Sequence, residues 1–220
     1  MLRLLLYLTL MLTSVSAQPL ETFTAADGTT FRYALLLPGD FDPAESYPVL
    51  LALPPGHQSL EMVEAGLSYW GGGERRGWVV VSPEAPGGRL FFRGSSAYVP
   101  ELLDDLAKTV KFEGGKVHVA GISNGGRSAF RVALDYPERV HSLLAVPGFP
   151  DDEGLEPLRT IPVAMYAGER DSFWVEEMRK TETALSALGA EVSATVVPGE
   201  GHVIQSLTTN ILFDVLDEFR

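Results

Sequence analysis

Three short apolar runs constrain this chain more than any other feature: YPVLLAL at 47–53, WVVVS at 78–82 and VHVAG at 117–121. Each has the length of a strand rather than of a buried helix, and a Gly or Pro lies at or near its ends. A strand can be apolar on both sides only where both faces of its sheet are covered. Helical spacing fills the gaps. Residues 59–69 fit a helix, and 100–112 place Leu102, Leu103, Leu106 and Val110 along one face. Residues 124–136 form a third. Further on, 142–146, 162–167 (PVAMYA) and 192–197 read as strands, 173–188 as a helix closed by Gly189, and 202–219 as a last helix. The start of this region differs. Residues 22–24 and 30–37 flank Asp27-Gly28, a hairpin turn signal. The pattern predicts an α/β fold: a mainly parallel central sheet with helices on both faces and an N-terminal antiparallel hairpin. In such folds chemistry gathers where strands end.

Residues 1–17 (MLRLLLYLTLMLTSVSA) have a different character. Arg3, an apolar stretch over 4–12 and the small residues Val15-Ser16-Ala17 make a secretory signal peptide with cleavage after Ala17. The stretch is shorter than the ~20 apolar residues of a spanning helix. The expectation is one domain over 18–220, exported to the periplasm or beyond, with no membrane span after signal removal. The chain holds 29 acidic and 17 basic residues, a net charge of -12. Without clustered Lys and Arg, nucleic acid is not an expected partner. It has no cysteine, which excludes disulfides, thiolate metal sites and cysteine nucleophiles.

After the third strand comes Gly121-Ile122-Ser123-Asn124-Gly125-Gly126. A serine flanked by glycines between a strand and a helix sits on a sharp, strained turn that exposes its hydroxyl. A hydroxyl needs a general base to become a nucleophile. Of four histidines, His118 lies within a strand, His141 opens one, and His57 follows the first parallel strand. His202 follows the last, behind Val197-Pro198-Gly199-Glu200-Gly201, and is the favoured base. A carboxylate must then fix the imidazole tautomer. Asp171, in Gly168-Glu169-Arg170-Asp171 after PVAMYA, is chosen over Glu169 and the pair Asp151-Asp152. An oxyanion needs backbone donors. Asn124 supplies one, and the loop from Pro54 to Ser59 the other. Pro54 and Pro55 have no N–H, so Gly56 is taken, with His57 next to it. His57, Trp70, Phe92, Phe173 and Trp174 are candidates to line a substrate pocket, with Phe91 beside them. Arg89 and Arg93 are read as solvated.

GISNGG, GERD and GEGH, in that order, resemble the α/β-hydrolase superfamily over nearly all of 30–220. GISNGG together with ALPPGHQS and DYPERV resembles secreted esterases related to polyhydroxybutyrate depolymerases and feruloyl esterases. Those relatives carry His-Gly where this chain has Pro54-Pro55, while Gln58-Ser59 fits their pattern. The resemblance implies hydrolysis of a small-molecule or polymer-end ester, without metal or organic cofactor, by Ser123, His202 and Asp171. The short stretch 147–161 implies no lid domain. A peptidase or thioesterase on the same fold, or a binding protein on a hydrolase scaffold, are the other readings. The acyl group, the alcohol and the oligomeric state stay open.

Overall fold

A computed structural model describes residues 20–151 and 154–220. The leader over 1–17 and Asp152 lie outside the described residues.

The chain opens with β1 (Leu20–Thr24) and β2 (Thr30–Leu36). They pair antiparallel around a turn in which Asp27 accepts from the Thr29 N–H and Gly28 takes a φ of 87°. Next come the short β3 (Ser46–Tyr47), β4 (Val49–Leu53), α1 (Leu60–Trp70), β5 (Val79–Pro83) and α2 (Val99–Leu106). They are followed by β6 (Lys111–Phe112), β7 (Val117–Gly121), α3 (Asn124–Asp135) and β8 (Val140–Ala145). The chain ends with β9 (Val163–Gly168), α4 (Ser172–Ala187), β10 (Val192–Val197) and α5 (Thr209–Glu218).

Eight strands form one sheet in the order β1-β2-β5-β4-β7-β8-β9-β10. From β5 to β10 every neighbouring pair is parallel, and the hairpin joins antiparallel through β2 and β5. The expected architecture is therefore present. The three apolar runs lie side by side at its centre. Every residue of β4, β5 and β7 is buried, and alternate residues serve opposite faces. Val49, Leu51 and Leu53 join the layer that contains α2, α3 and α4, whereas Leu50 and Ala52 join that of α1 and α5. This is why the runs lack an apolar–polar alternation.

Two helices are shorter than their patterns suggest. α2 stops at Leu106, and Lys111 and Phe112 instead pair with Ser46 and Tyr47 in a separate two-stranded ladder. Val110 still reaches the core, so the periodic signal came from burial and not from helix. α5 starts only at Thr209, with Thr208 as N-cap. The preceding residues form a loop in which Ile204 and Leu207 are buried among exposed neighbours, which mimics helical spacing. Between β8 and β9 the described residues hold one short 3-10 turn, Glu156–Thr160.

Candidate active site

The serine turn is built from close approaches. Ser123 adopts φ 58° and ψ −118°, a conformation that costs a side-chain-bearing residue about 1–3 kcal/mol. Neighbouring backbone holds it there. The Ser123 N–H donates to the Pro147 carbonyl at 2.9 Å, and its carbonyl accepts from the Arg127 N–H at 3.1 Å. A Cβ on Gly121 would lie 2.1 Å from the Gly125 carbonyl oxygen, and one on Gly125 would lie 2.0 Å from that of Leu53. Both gaps are far inside van der Waals contact, so strand, turn and helix meet only if these positions have no side chain.

His202 and Asp171 come to this serine from the ends of two neighbouring strands. His202 Nδ1 lies 2.6 Å from Asp171 Oδ2, and His202 Nε2 lies 2.9 Å from Ser123 Oγ. A carboxylate only accepts, so the neutral ring donates its proton from Nδ1, and Nε2 is left to accept the Ser123 hydroxyl. The His202 side chain is 42% exposed and that of Asp171 17%. A substrate can therefore reach the imidazole while its partner is largely sheltered from water.

The rivals Glu169 and Asp151, and the nearby Glu200, have other partners. Glu169 accepts from the Gly199 N–H at 2.8 Å, tying the end of β9 to the loop that carries His202. Glu200 accepts from the N–H groups of Gln205 and Ser206 at 3.3 and 3.0 Å. The Ser206 hydroxyl first, and then these N–H groups, hold its carboxyl below the usual range. Asp151 pairs with Arg127. Asp171 stands at the N-cap position of α4 and makes no side-chain capping bond; its carboxylate points to His202 instead.

The loop from Pro54 to Gln58 is fixed by a residue whose part the sequence reading did not assign. Gln58 is buried, at a φ of 57°. Its Nε2 donates to the Pro54 carbonyl at 3.1 Å and to Ser128 Oγ at 2.9 Å, and its Oε1 accepts from the Phe91 N–H at 2.9 Å. The loop is thereby pinned to α3. Asn124 Nδ2 donates to the Gly56 carbonyl at 2.7 Å, which puts Gly56 beside the residue following Ser123. Asn124 is the first residue of α3, and its helix start has no side-chain cap. The N–H of that residue is one that no helical carbonyl takes up.

The remaining candidates divide. Phe173 is exposed and Trp174 half-buried, with the Trp174 ring 5.1 Å from that of His202. His57 is exposed beside Gly56. Phe92 is buried under the Arg127 guanidinium, 4.1 Å away. Trp70 is not a lining residue: at 1% exposure it belongs to the core between sheet, α1 and α5. Phe91, equally buried, packs in the opposite core layer. Arg89 donates from Nε to the Arg93 carbonyl, and both arginines are exposed. Phe149 carried no signal in the sequence, yet its ring lies 5.0 Å from that of Trp174.

His118 and His141 lie toward the other end of their strands. His118, 4% exposed, packs on Trp78 and His141 at ring distances of 4.7 and 4.8 Å, with Nδ1 2.7 Å from Ser142 Oγ. His141 donates from Nε2 to the Phe219 carbonyl at 2.6 Å, holding the end of the chain. Burial first, then the neighbouring His141 and Arg220, bring the His118 pKa from 6.5 down to about 3. The unfolded chain takes up this proton near 6.5 and the folded chain only near 3. The stabilisation is thus complete above 6.5 and is lost as pH falls toward 3, by about 1.4 kcal/mol per pH unit. Urea unfolding of His118→Gln should therefore show a shallower loss of stability between about pH 6 and pH 4 than the parent, by about 1 kcal/mol per unit.

No protein-family model and no curated protein matches the sequence. Solved structures do. The chain is similar to a thermostable esterase, with a TM-score of 0.73 and 19% identity over 82% of this chain and 54% of that one. It therefore spans about half of that esterase's length. It is similar to an S-formylglutathione hydrolase from Agrobacterium tumefaciens, at TM-score 0.70 and 18% identity over 92% and 94% of the two chains. It is also similar to dipeptidyl peptidase 4 from Porphyromonas gingivalis, at TM-score 0.68 and 14% identity over 92% of this chain and 35% of that one. The chain has the α/β-hydrolase fold. Identities this low carry the fold and nothing finer. Within the α/β-hydrolase fold, a serine after a central strand with acid and histidine after later ones is the established chain order. The narrower resemblance to polyhydroxybutyrate depolymerases and feruloyl esterases rests on the sequence segments alone.

Proposed function

We propose that this protein is an exported serine hydrolase that cleaves carboxylic esters through an acyl-enzyme. The observation that carries the reading is the unbroken line from Ser123 Oγ through His202 to Asp171, at 2.9 and 2.6 Å. Ser123 attacks the ester carbonyl as its proton passes to His202 Nε2, and Asp171 stabilises the imidazolium. The carbonyl oxygen, now an oxyanion, takes hydrogen bonds from the Asn124 and Gly56 N–H groups. When the adduct collapses, the C–O bond to the alcohol breaks and the alcohol leaves with the proton from His202. Water then repeats the sequence on the acyl-enzyme and releases the acid. Each step uses only these side chains and backbone groups. The sequence resemblance of GISNGG, ALPPGHQS and DYPERV to secreted esterases supports ester over amide, and the signal-peptide pattern over 1–17 supports export.

A fluorophosphonate probe tests the reading. One label per chain, on Ser123 and lost after heat unfolding, is expected. A native chain that hydrolyses no p-nitrophenyl acetate and takes no label overturns it, and leaves a binding protein on this fold.

A further inference from the structure

Beside His202 stands a group of rings that these steps leave unused. Trp174 lies 5.1 Å from the imidazole. Phe149 contacts Trp174 at 5.0 Å and Phe173 at 5.8 Å, and Phe173 meets Trp174 edge-on at 6.0 Å. Phe and Trp side chains are largely buried on average. Here Phe173 is 57% exposed, and Val203, the residue after His202, is 60% exposed. The cluster is braced from behind. Arg127, one helical turn after Ser123, lies 5.1 Å from the Phe149 ring and 4.1 Å from the Phe92 ring, and is paired with Asp151. The apolar surface at the rim of the site is thus a held one, open to a ligand.

The chemistry decides which half of an ester meets it. The adduct on Ser123 presents its oxyanion to the loop carrying Gly56. Its alcohol oxygen must come within hydrogen-bond reach of His202 Nε2, because that nitrogen returns the proton. The carbon attached to the alcohol oxygen then lies near the imidazole, whose ring neighbour is Trp174. We propose that Trp174, Phe173 and Phe149 seat the alcohol half of the substrate, and that the protein selects esters of apolar, ring-bearing alcohols. This rests on the ester-hydrolase reading of Ser123.

The test compares benzyl acetate, methyl acetate and methyl phenylacetate. The parent protein should favour benzyl over methyl acetate in kcat/KM by about tenfold or more, as expected when a ring leaves water. In Trp174→Ala that ratio should fall about tenfold, while the ratio of methyl phenylacetate to methyl acetate holds. Phe173→Ala, at an exposed position where folding is not at stake, should lower the same benzyl ratio severalfold. A loss that follows the ring on the acyl side overturns the assignment. So does an equal loss on all three esters, which would make these rings props for His202. A parent protein that is labelled by fluorophosphonate yet shows no alcohol preference overturns the seat alone. One that is not labelled overturns the nucleophile, and the seat with it.

Discussion

Ser123→Ala is expected to lower kcat for p-nitrophenyl acetate by about 10⁴-fold or more, with KM changed little. The variant loses the hydroxyl oxygen that lies 2.9 Å from His202 Nε2. Backbone donors and binding contacts survive, so a residual rate above the uncatalysed one, of about 10³-fold, should persist in stopped assays. Folding should be unharmed. Alanine at this position keeps the strained φ of 58° but adds no atom to the packed turn. Equal unfolding midpoints for parent and variant, beside a collapsed kcat, are the paired measurement. A kcat within tenfold of the parent would mean that another residue attacks.

Asp171→Asn is expected to cost about 10³–10⁴-fold in kcat at neutral pH. The amide can turn its NH₂ toward Nδ1 and so favour the tautomer with the proton on Nε2. In that tautomer His202 cannot take the Ser123 proton. The loss should be smaller for Glu169→Gln. Glu169 is bonded to the Gly199 N–H and not to the imidazole, and an amide oxygen can still accept that bond. Measuring both variants decides between two carboxylates only two residues apart. Should Glu169→Gln prove the more damaging, the hydrogen bond at 2.6 Å is not the one that matters.

That choice also marks what a sequence can say about such a site. β4, β5 and β7 were legible because strands buried on both faces must be apolar throughout, and Val49, Val80 and Val119 are all at 0% exposure. The serine turn was legible because sterics leave no alternative to glycine at Gly121 and Gly125. The order of Ser123, Asp171 and His202 follows from the order of the strands. The aim of a side chain does not. Trp70 ends α1 and Trp174 lies in the first turn of α4, the same residue type on helices, yet one fills the core and the other lies on the imidazole. Phe149 reaches Trp174 because the Pro147 carbonyl is bonded to the Ser123 N–H, a contact between distant segments. Gln58 is similar: a polar residue in a loop looks solvated until its three partners converge on it. The final helix was read to start seven residues too early because Ile204 and Leu207 point inward from a loop at nearly helical intervals.

The placement of β10 has a consequence for how the protein wears out. Ser123 follows β7, in the middle of the sheet, whereas His202 follows β10, the last strand, whose residues are exposed or only half-buried. Marginal strands open locally at a fraction of the free energy needed to melt a core. The nucleophile thus stands on the most protected ground in the molecule and its base on some of the least. Under heat or mild denaturant, activity should fade by departure of the histidine from a serine that has not moved, and return on cooling as the rim re-forms.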